Sequence, residues 1–136
     1  MLPSPPDFLA VSYRADLQVL VARWMRVISV EEMQQGYELL LAAAVQHNCR
    51  QWLVDARRRN NTDQEGAIWM VQSFLPRLHG RLGGHTALAY LLPPVQLRDT
   101  QADAAFPPAS YFEGKPFVAD RFTEERLALE WLQQPR

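Results

Sequence analysis

Arginine crowds one short stretch of this sequence, Asp55-Ala56-Arg57-Arg58-Arg59-Asn60-Asn61-Thr62. Guanidinium groups at that density can clamp a phosphate or carboxylate in bidentate fashion. The Asn60 amide and the Thr62 hydroxyl add neutral hydrogen-bonding groups. The candidate ligand- or partner-binding set is therefore Asp55, Arg57, Arg58, Arg59, Asn60 and Thr62, with Trp69 a little further along the chain. Against a phosphate site, no glycine lets the backbone wrap an anion, and Asp63 and Glu65 already complement the start of a following helix. The plainer reading is a solvated loop with local ion pairs, one of them joining Asp55 to a neighbouring arginine. For proton transfer, Asp55, Glu113 and Asp120 qualify by residue type. Asp55 is the best placed, at a strand end, but neighbouring arginines would hold it ionised and unreactive. No catalytic residue is assigned.

His47 and Cys49, with His79 or His85, are the only approach to a metal set. Structural zinc takes four ligands, usually as two close pairs, and only one close pair exists here, at a helix end. Cys49 with a histidine has the residue types of a thiol nucleophile but no motif. A buried thiol packed after a helix is the simpler account. Neither metal nor cofactor is expected.

These groups must be held by regular elements, and the patterning supplies them. Gln51-Trp52-Leu53-Val54 ending on Asp55 reads as a strand covered on both faces. Thr62 with Glu65 forms a capping box, and Ile68, Val71, Leu75, Leu78 and Leu82 then give one apolar helical stripe. Gly83-Gly84 supplies the left-handed stop, and Pro76 should kink this helix. Upstream, 8–13 and 18–24 read as two strands of an antiparallel hairpin. In the second, Leu20, Ala22 and Trp24 share one face and Val19, Val21 and Arg23 the other, as in an interior strand. Ser29 with Glu32 is a second capping box, and Ile28 with Met33 a hydrophobic staple. Met33, Tyr37, Leu40, Leu41 and Ala44 line that helix's inner face. A crossover then leads into the Gln51 strand. Thr86 to Leu92 is the next buried strand, stopped by Pro93-Pro94. Residues 93–115 form a long loop or flap, where either a short helical piece or a flap folded over the sheet is expected rather than a free loop, and residues 117–122 form a last, edge strand. Thr123 caps the final helix, with Phe122 and Leu127 as its staple and Ala128, Trp131 and Leu132 facing inward. The fold class is α/β: a mixed sheet of four to five strands, hairpin first, then β-α-β-α-β-α.

Composition bounds the rest. The chain's 136 residues suffice for one domain, 1–136, behind a loose arm at 1–7. A formal net charge of −1 provides no field to recruit nucleic acid or an anionic membrane. Cys49 is the sole cysteine, which excludes an internal disulfide and suits a reducing cytoplasm. No apolar run reaches the ~20 residues of a membrane span, and the proline-rich start lacks a signal peptide's pattern. The expectation is a bacterial-type cytoplasmic protein that neither binds nucleic acid nor inserts in a membrane.

Two opening strands, a helix from Ser29-Val30-Glu31-Glu32, a strand ending Leu53-Val54-Asp55, and the close Phe122-Thr123-Glu124-Glu125…Ala128-Leu129-Glu130-Trp131-Leu132 together resemble the STAS family. These are the anti-sigma-factor-antagonist-like domains, and the likeness is greatest to a divergent bacterial branch of unknown function, grouped near the CRAL-TRIO lipid-binding fold. The likeness covers roughly 8–132, with 95–115 as an insertion. In that family the phosphorylated serine sits in an Asp-Ser-Ser-Gly-type motif where this chain has Asn61-Thr62-Asp63-Gln64-Glu65-Gly66. Thr62 falls near the acceptor position, but the signature is missing and Asp63 and Glu65 would oppose a phosphate. The phospho-switch is not carried over. The resemblance implies a sheet-and-helix module used for protein contacts. The first functional expectation is accordingly a non-enzymatic regulatory or interaction module, a homodimer or a complex with another protein, with Trp69 at its contact surface. The alternative is a carrier enclosing a small apolar or lipid-like ligand under the 93–115 flap. The third is an enzyme acting on an anion at the arginine loop.

Overall fold

The hairpin sets the frame. In this computed structural model, which describes residues 7–58, 64–94 and 107–134, β1 (Leu9–Arg14) pairs antiparallel with β2 (Val19–Trp24) in the register Leu9↔Trp24 to Arg14↔Val19. Gln18 closes the connection in the left-handed region, φ 55°. From β2 onward every pairing is parallel, through β3 (Gln51–Asp55), β4 (Thr86–Leu91) and β5 (Phe117–Phe122). The order is β1-β2-β3-β4-β5, so β2 is interior and β5 an edge, as the patterning requires. All six residues of β4 are buried, the mark of a central strand in a sheet covered on both faces.

Strand alternation divides the core in two. Leu20, Ala22, Trp24, Trp52, Val54, Leu88 and Tyr90 face the larger core, under the first two helical segments. Val19, Val21, Leu53, Ala87, Ala89 and Leu91 face the smaller one, under the last helix. Helix α1 (Val30–His47) opens on the expected capping box: Ser29 Oγ accepts from the Glu32 N–H at 3.1 Å and Glu32 Oε1 accepts from the Ser29 N–H at 3.0 Å. Arg26 also reaches Glu32, and these contacts hold its carboxyl down at about 2. Met33, Tyr37, Leu40, Leu41 and Ala44 are buried as expected, and so is Gly36. A Cβ at Gly36 would lie 2.4 Å from Trp24 Cη2, so the helix can approach the indole only because that position lacks a side chain.

The second helical region runs α2 (Gln64–Trp69), a π-turn (Met70–Phe74) and α3 (Leu75–Leu82). The Leu75 N–H reaches back to Met70 O, five residues away. The expected disturbance at Pro76 therefore takes the form of one widened turn just before the proline, where its ring and missing N–H would otherwise fall on a regular ladder. The extra residue shifts the inward face upstream. Val71, Leu75, Leu78 and Leu82 are buried as expected, but Ile68 is 50% exposed, and Met70 and Phe74 are buried in its stead. Gly83, φ 73°, caps the end, its N–H bonded to His79 O at 2.8 Å. The Thr62 capping box lies outside the described residues.

After β4, the described part of the 93–115 excursion holds a 3-10 turn, Ala109–Phe112, with Phe112 edge-on to Phe117 at 6.2 Å. The last helix, α4 (Glu125–Leu132), corrects one expectation. Its N-cap is Glu124, without a side-chain cap, rather than Thr123. Leu127 faces outward, 41% exposed, while Ala128 and Leu132 are buried in the smaller core as expected. Phe122 consequently packs on Trp131, with centroids 5.6 Å apart, and the Phe122–Leu127 staple gives way to that contact.

The Gly36–Trp24 contact predicts that Gly36→Ala destabilises the protein by about 1–3 kcal/mol, although alanine is the better helix former. Urea unfolding of both proteins measures this, and a more stable variant would show that α1 can shift off the indole.

Candidate functional site

Asp55 ends β3 at the carboxyl edge of the parallel sheet, the edge where open α/β sheets hold ligands. Its residue is only 8% exposed, so its charge must be met by protein. Arg57 folds back two residues and forks onto it, Nε to Oδ1 at 2.9 Å and Nη2 to Oδ2 at 2.8 Å, while the Arg57 N–H also reaches Oδ1 at 3.2 Å. From β2, Arg23 donates Nη1 to Asp55 Oδ2 at 2.8 Å and Nη2 to Glu125 Oε1 at 2.8 Å. The result is a chain, Arg57–Asp55–Arg23–Glu125, running from the β3 loop across β2 to the first turn of α4.

Burial would raise the Asp55 pKa, but the hydrogen bonds from Arg57 and then Arg23 outweigh it, and the carboxyl is held below the ordinary aspartate range. Burial likewise opposes the charge on Arg23, yet its bonds to Glu125 and Asp55 push its pKa up. A carboxylate whose two oxygens accept four hydrogen bonds is a poor proton acceptor. What the arrangement can do is present fixed positive charge. Arg23, Arg57 and Arg58 line a shallow cleft of about 460 Å³ together with Asp55, Trp24 and Met25.

The structure thus brings Asp55, Arg57 and Arg58 together. Arg59, Asn60 and Thr62 lie outside the described residues. Trp69 stands apart from the cleft set: it is half-buried and packs on Tyr37 and Phe74, with centroids at 5.9 and 5.7 Å. Arg23, Glu125 and Met25 were not singled out from sequence. Arg23 did carry a signal, as an arginine sharing a strand face with Val19 and Val21, but only the parallel register Arg23↔Asp55 shows which acid it serves. Asp120 sits mid-β5 opposite Ala89, and both it and Glu113 are exposed, so neither supplies a second acid in a pocket.

The other sequence candidates have local explanations. Cys49 is buried, its thiol directed at Gln51 O at 3.2 Å and Gln18 O at 3.4 Å, and burial pushes its pKa up. A protonated, enclosed thiol is not a nucleophile. His47 stacks on Tyr13 at 4.2 Å. Among the described residues no three His, Cys, Asp or Glu side chains converge as metal ligands. Trp24, Trp69 and Phe74 all pack around Tyr37, whose hydroxyl shares a 2.8 Å hydrogen bond with that of Tyr90. These five rings therefore pack on one another as part of the larger core. No described helix is long and apolar enough to cross a membrane.

The sequence matches no protein-family model and no curated protein. Among solved structures it is similar to an uncharacterized protein of the DUF3478 family, with a SpoIIAA-like fold, from Shewanella loihica PV-4. The TM-score is 0.53 at 16% identity, covering 97% of this chain and 99% of that one. The fold is therefore SpoIIAA-like, that is, STAS-like, as the resemblance in the sequence implied.

Asp55→Asn should lower stability at neutral pH by about 1–3 kcal/mol, as expected for charge-assisted hydrogen bonds. Because the folded-state pKa of Asp55 is depressed, its contribution is present above the unfolded value of about 3.9 and is lost as pH falls through the folded one. The stability gap between wild type and variant should narrow below about pH 4. Denaturation curves across that range decide it, and a gap independent of pH would mean that the Asp55 ion pairs contribute nothing.

Proposed function

We propose that this protein is a non-enzymatic regulatory module that acts through protein contacts and is a homodimer when free. The observation that carries this reading is the state of Asp55. The buried acid at the ligand-binding edge of the sheet is locked between two arginines and has no lone pair left for chemistry. The same edge nevertheless offers contact groups. Arg58 is exposed and closes no ion pair with a described residue, and Met25 is 39% exposed beside it; on α2, outside that cleft's lining, Ile68 is 50% exposed. Arginine and methionine are enriched in protein interfaces. The contact surface we assign is α2 with the segment that precedes it.

Trp69→Ala is an ambiguous probe, since Trp69 also packs on Tyr37 and Phe74. Ile68→Glu is cleaner, because it changes an exposed side chain. Sedimentation equilibrium should find wild-type dimer, and Ile68→Glu should weaken it by roughly tenfold or more if Ile68 is a central contact. A wild-type monomer, or a dimer indifferent to Ile68→Glu and Arg58→Glu alike, would overturn this surface.

A further inference from the structure

The opposite, amino-terminal edge of the sheet carries a second and larger cleft, about 710 Å³, which the reading above does not use. It lies where β2, β3 and β4 begin. Its walls include Arg50, Gln51, His47, His85, Gln133 and Gln134, and none of its described lining residues is a carboxylate. The guanidinium of Arg50 differs from the partnered arginines elsewhere. Arg14, Arg23, Arg26, Arg57, Arg77 and Arg126 each meet an Asp or Glu. Arg50 forms neither a hydrogen bond nor an ion pair through its side chain with any described residue. Packing holds it in place instead: it runs close over Gly84, where a Cβ would stand 2.5 Å from Nη1 and 2.9 Å from Cζ. His47 is likewise fixed by its stack on Tyr13.

One consideration runs the other way. The carboxyl ends of α1, α3 and α4 point to this edge, and helix ends of that sense repel anions. Here, however, those ends are capped internally. The Asn48 and Cys49 N–H groups take the Val45 and Ala44 carbonyls, Gly83 takes His79, and Gln133 and Gln134 take Leu129 and Trp131. The fields of the orphan carbonyls are thereby blunted, and the five-donor fork of Arg50 remains the uncompensated charge in the cleft.

We infer that this cleft is a binding site for a small oxyanion, a phosphate or carboxylate group on a polar ligand, with Arg50 as its anchor and the Gln51 amide as a neutral donor. The Gln133 amide is already committed to Leu17 O at 3.0 Å. The polar walls suit a hydrophilic ligand rather than a lipid. The site is preorganised, because Gly84 and the Tyr13–His47 stack position it before any ligand arrives.

Amide NMR of the wild-type protein, titrated separately with inorganic phosphate and with acetate at constant ionic strength, tests it. Saturable shifts at Arg50, Gln51, Gly84 and His85 with at least one anion are expected, and the stronger anion identifies the oxyanion class. Arg50→Gln should weaken that binding roughly tenfold or more, as loss of charge-assisted hydrogen bonds does. Arg126→Gln, at an exposed side chain in the first turn of α4, should leave it unchanged. Absence of saturable shifts with both anions, equal binding by Arg50→Gln, or shifts confined to the Arg57–Arg58 edge would each overturn the assignment. Because Arg50 is exposed, its substitution leaves the core intact, and amide dispersion in the same spectra verifies that.

Discussion

The close approach of α1 to the sheet governs most of what this molecule is. Gly36 lets the Trp24 indole lie against the helix backbone, and one residue on, Tyr37 enters the gap between the sheet and the second helical region. There it touches Trp24, Trp69 and Phe74 and shares a hydrogen bond with Tyr90. A buried phenol without a partner would cost about 1–3 kcal/mol, so the hydroxyl pair fixes where α1 sits relative to β4 as firmly as the apolar contacts do. Arg77 on α3, forked onto Glu38 of α1, closes the same three-layer contact at the surface.

The widened turn at Met70–Phe74 belongs to this arrangement. A regular helix carrying Ile68, Val71 and Leu75 on its inner face would leave Phe74 beside the stripe. The π-turn instead brings Met70 and Phe74 inward and Trp69 onto Tyr37, and leaves Ile68 in solvent. A backbone irregularity next to Pro76 thus enlarges the aromatic core and, in the same movement, exposes an apolar side chain on α2.

The two ends of the parallel sheet are electrostatically unlike. At the carboxyl edge, where the helices begin, positive charge is abundant but largely committed, with Asp55 and Glu125 holding Arg23 and Arg57. At the amino edge, where helices end, cationic and amide side chains stand without a carboxylate among the described lining. Charge that is already paired contributes specificity and geometry more than affinity. Charge held by packing alone remains available to a ligand.

Much of the architecture was legible because it follows from local chemistry. Ser29 and Glu32 specify the start of α1 through hydrogen bonds within one turn. The Leu20/Ala22/Trp24 alternation specifies an interior strand, and Gly83 its helix stop. The element order and these local signals together implied the SpoIIAA-like fold. At the site, the sequence named Asp55, Arg57 and Arg58 and anticipated that arginine would hold the acid ionised. It did not join Arg23 and Glu125 to the site, because their meeting depends on the β2–β3 register and on where α4 lands, contacts between residues 32 and 102 positions apart. It misplaced Ile68, and Thr123 with Leu127, for a related reason. A one-residue shift in helical phase costs little locally, and the packing of the whole domain chooses between the alternatives.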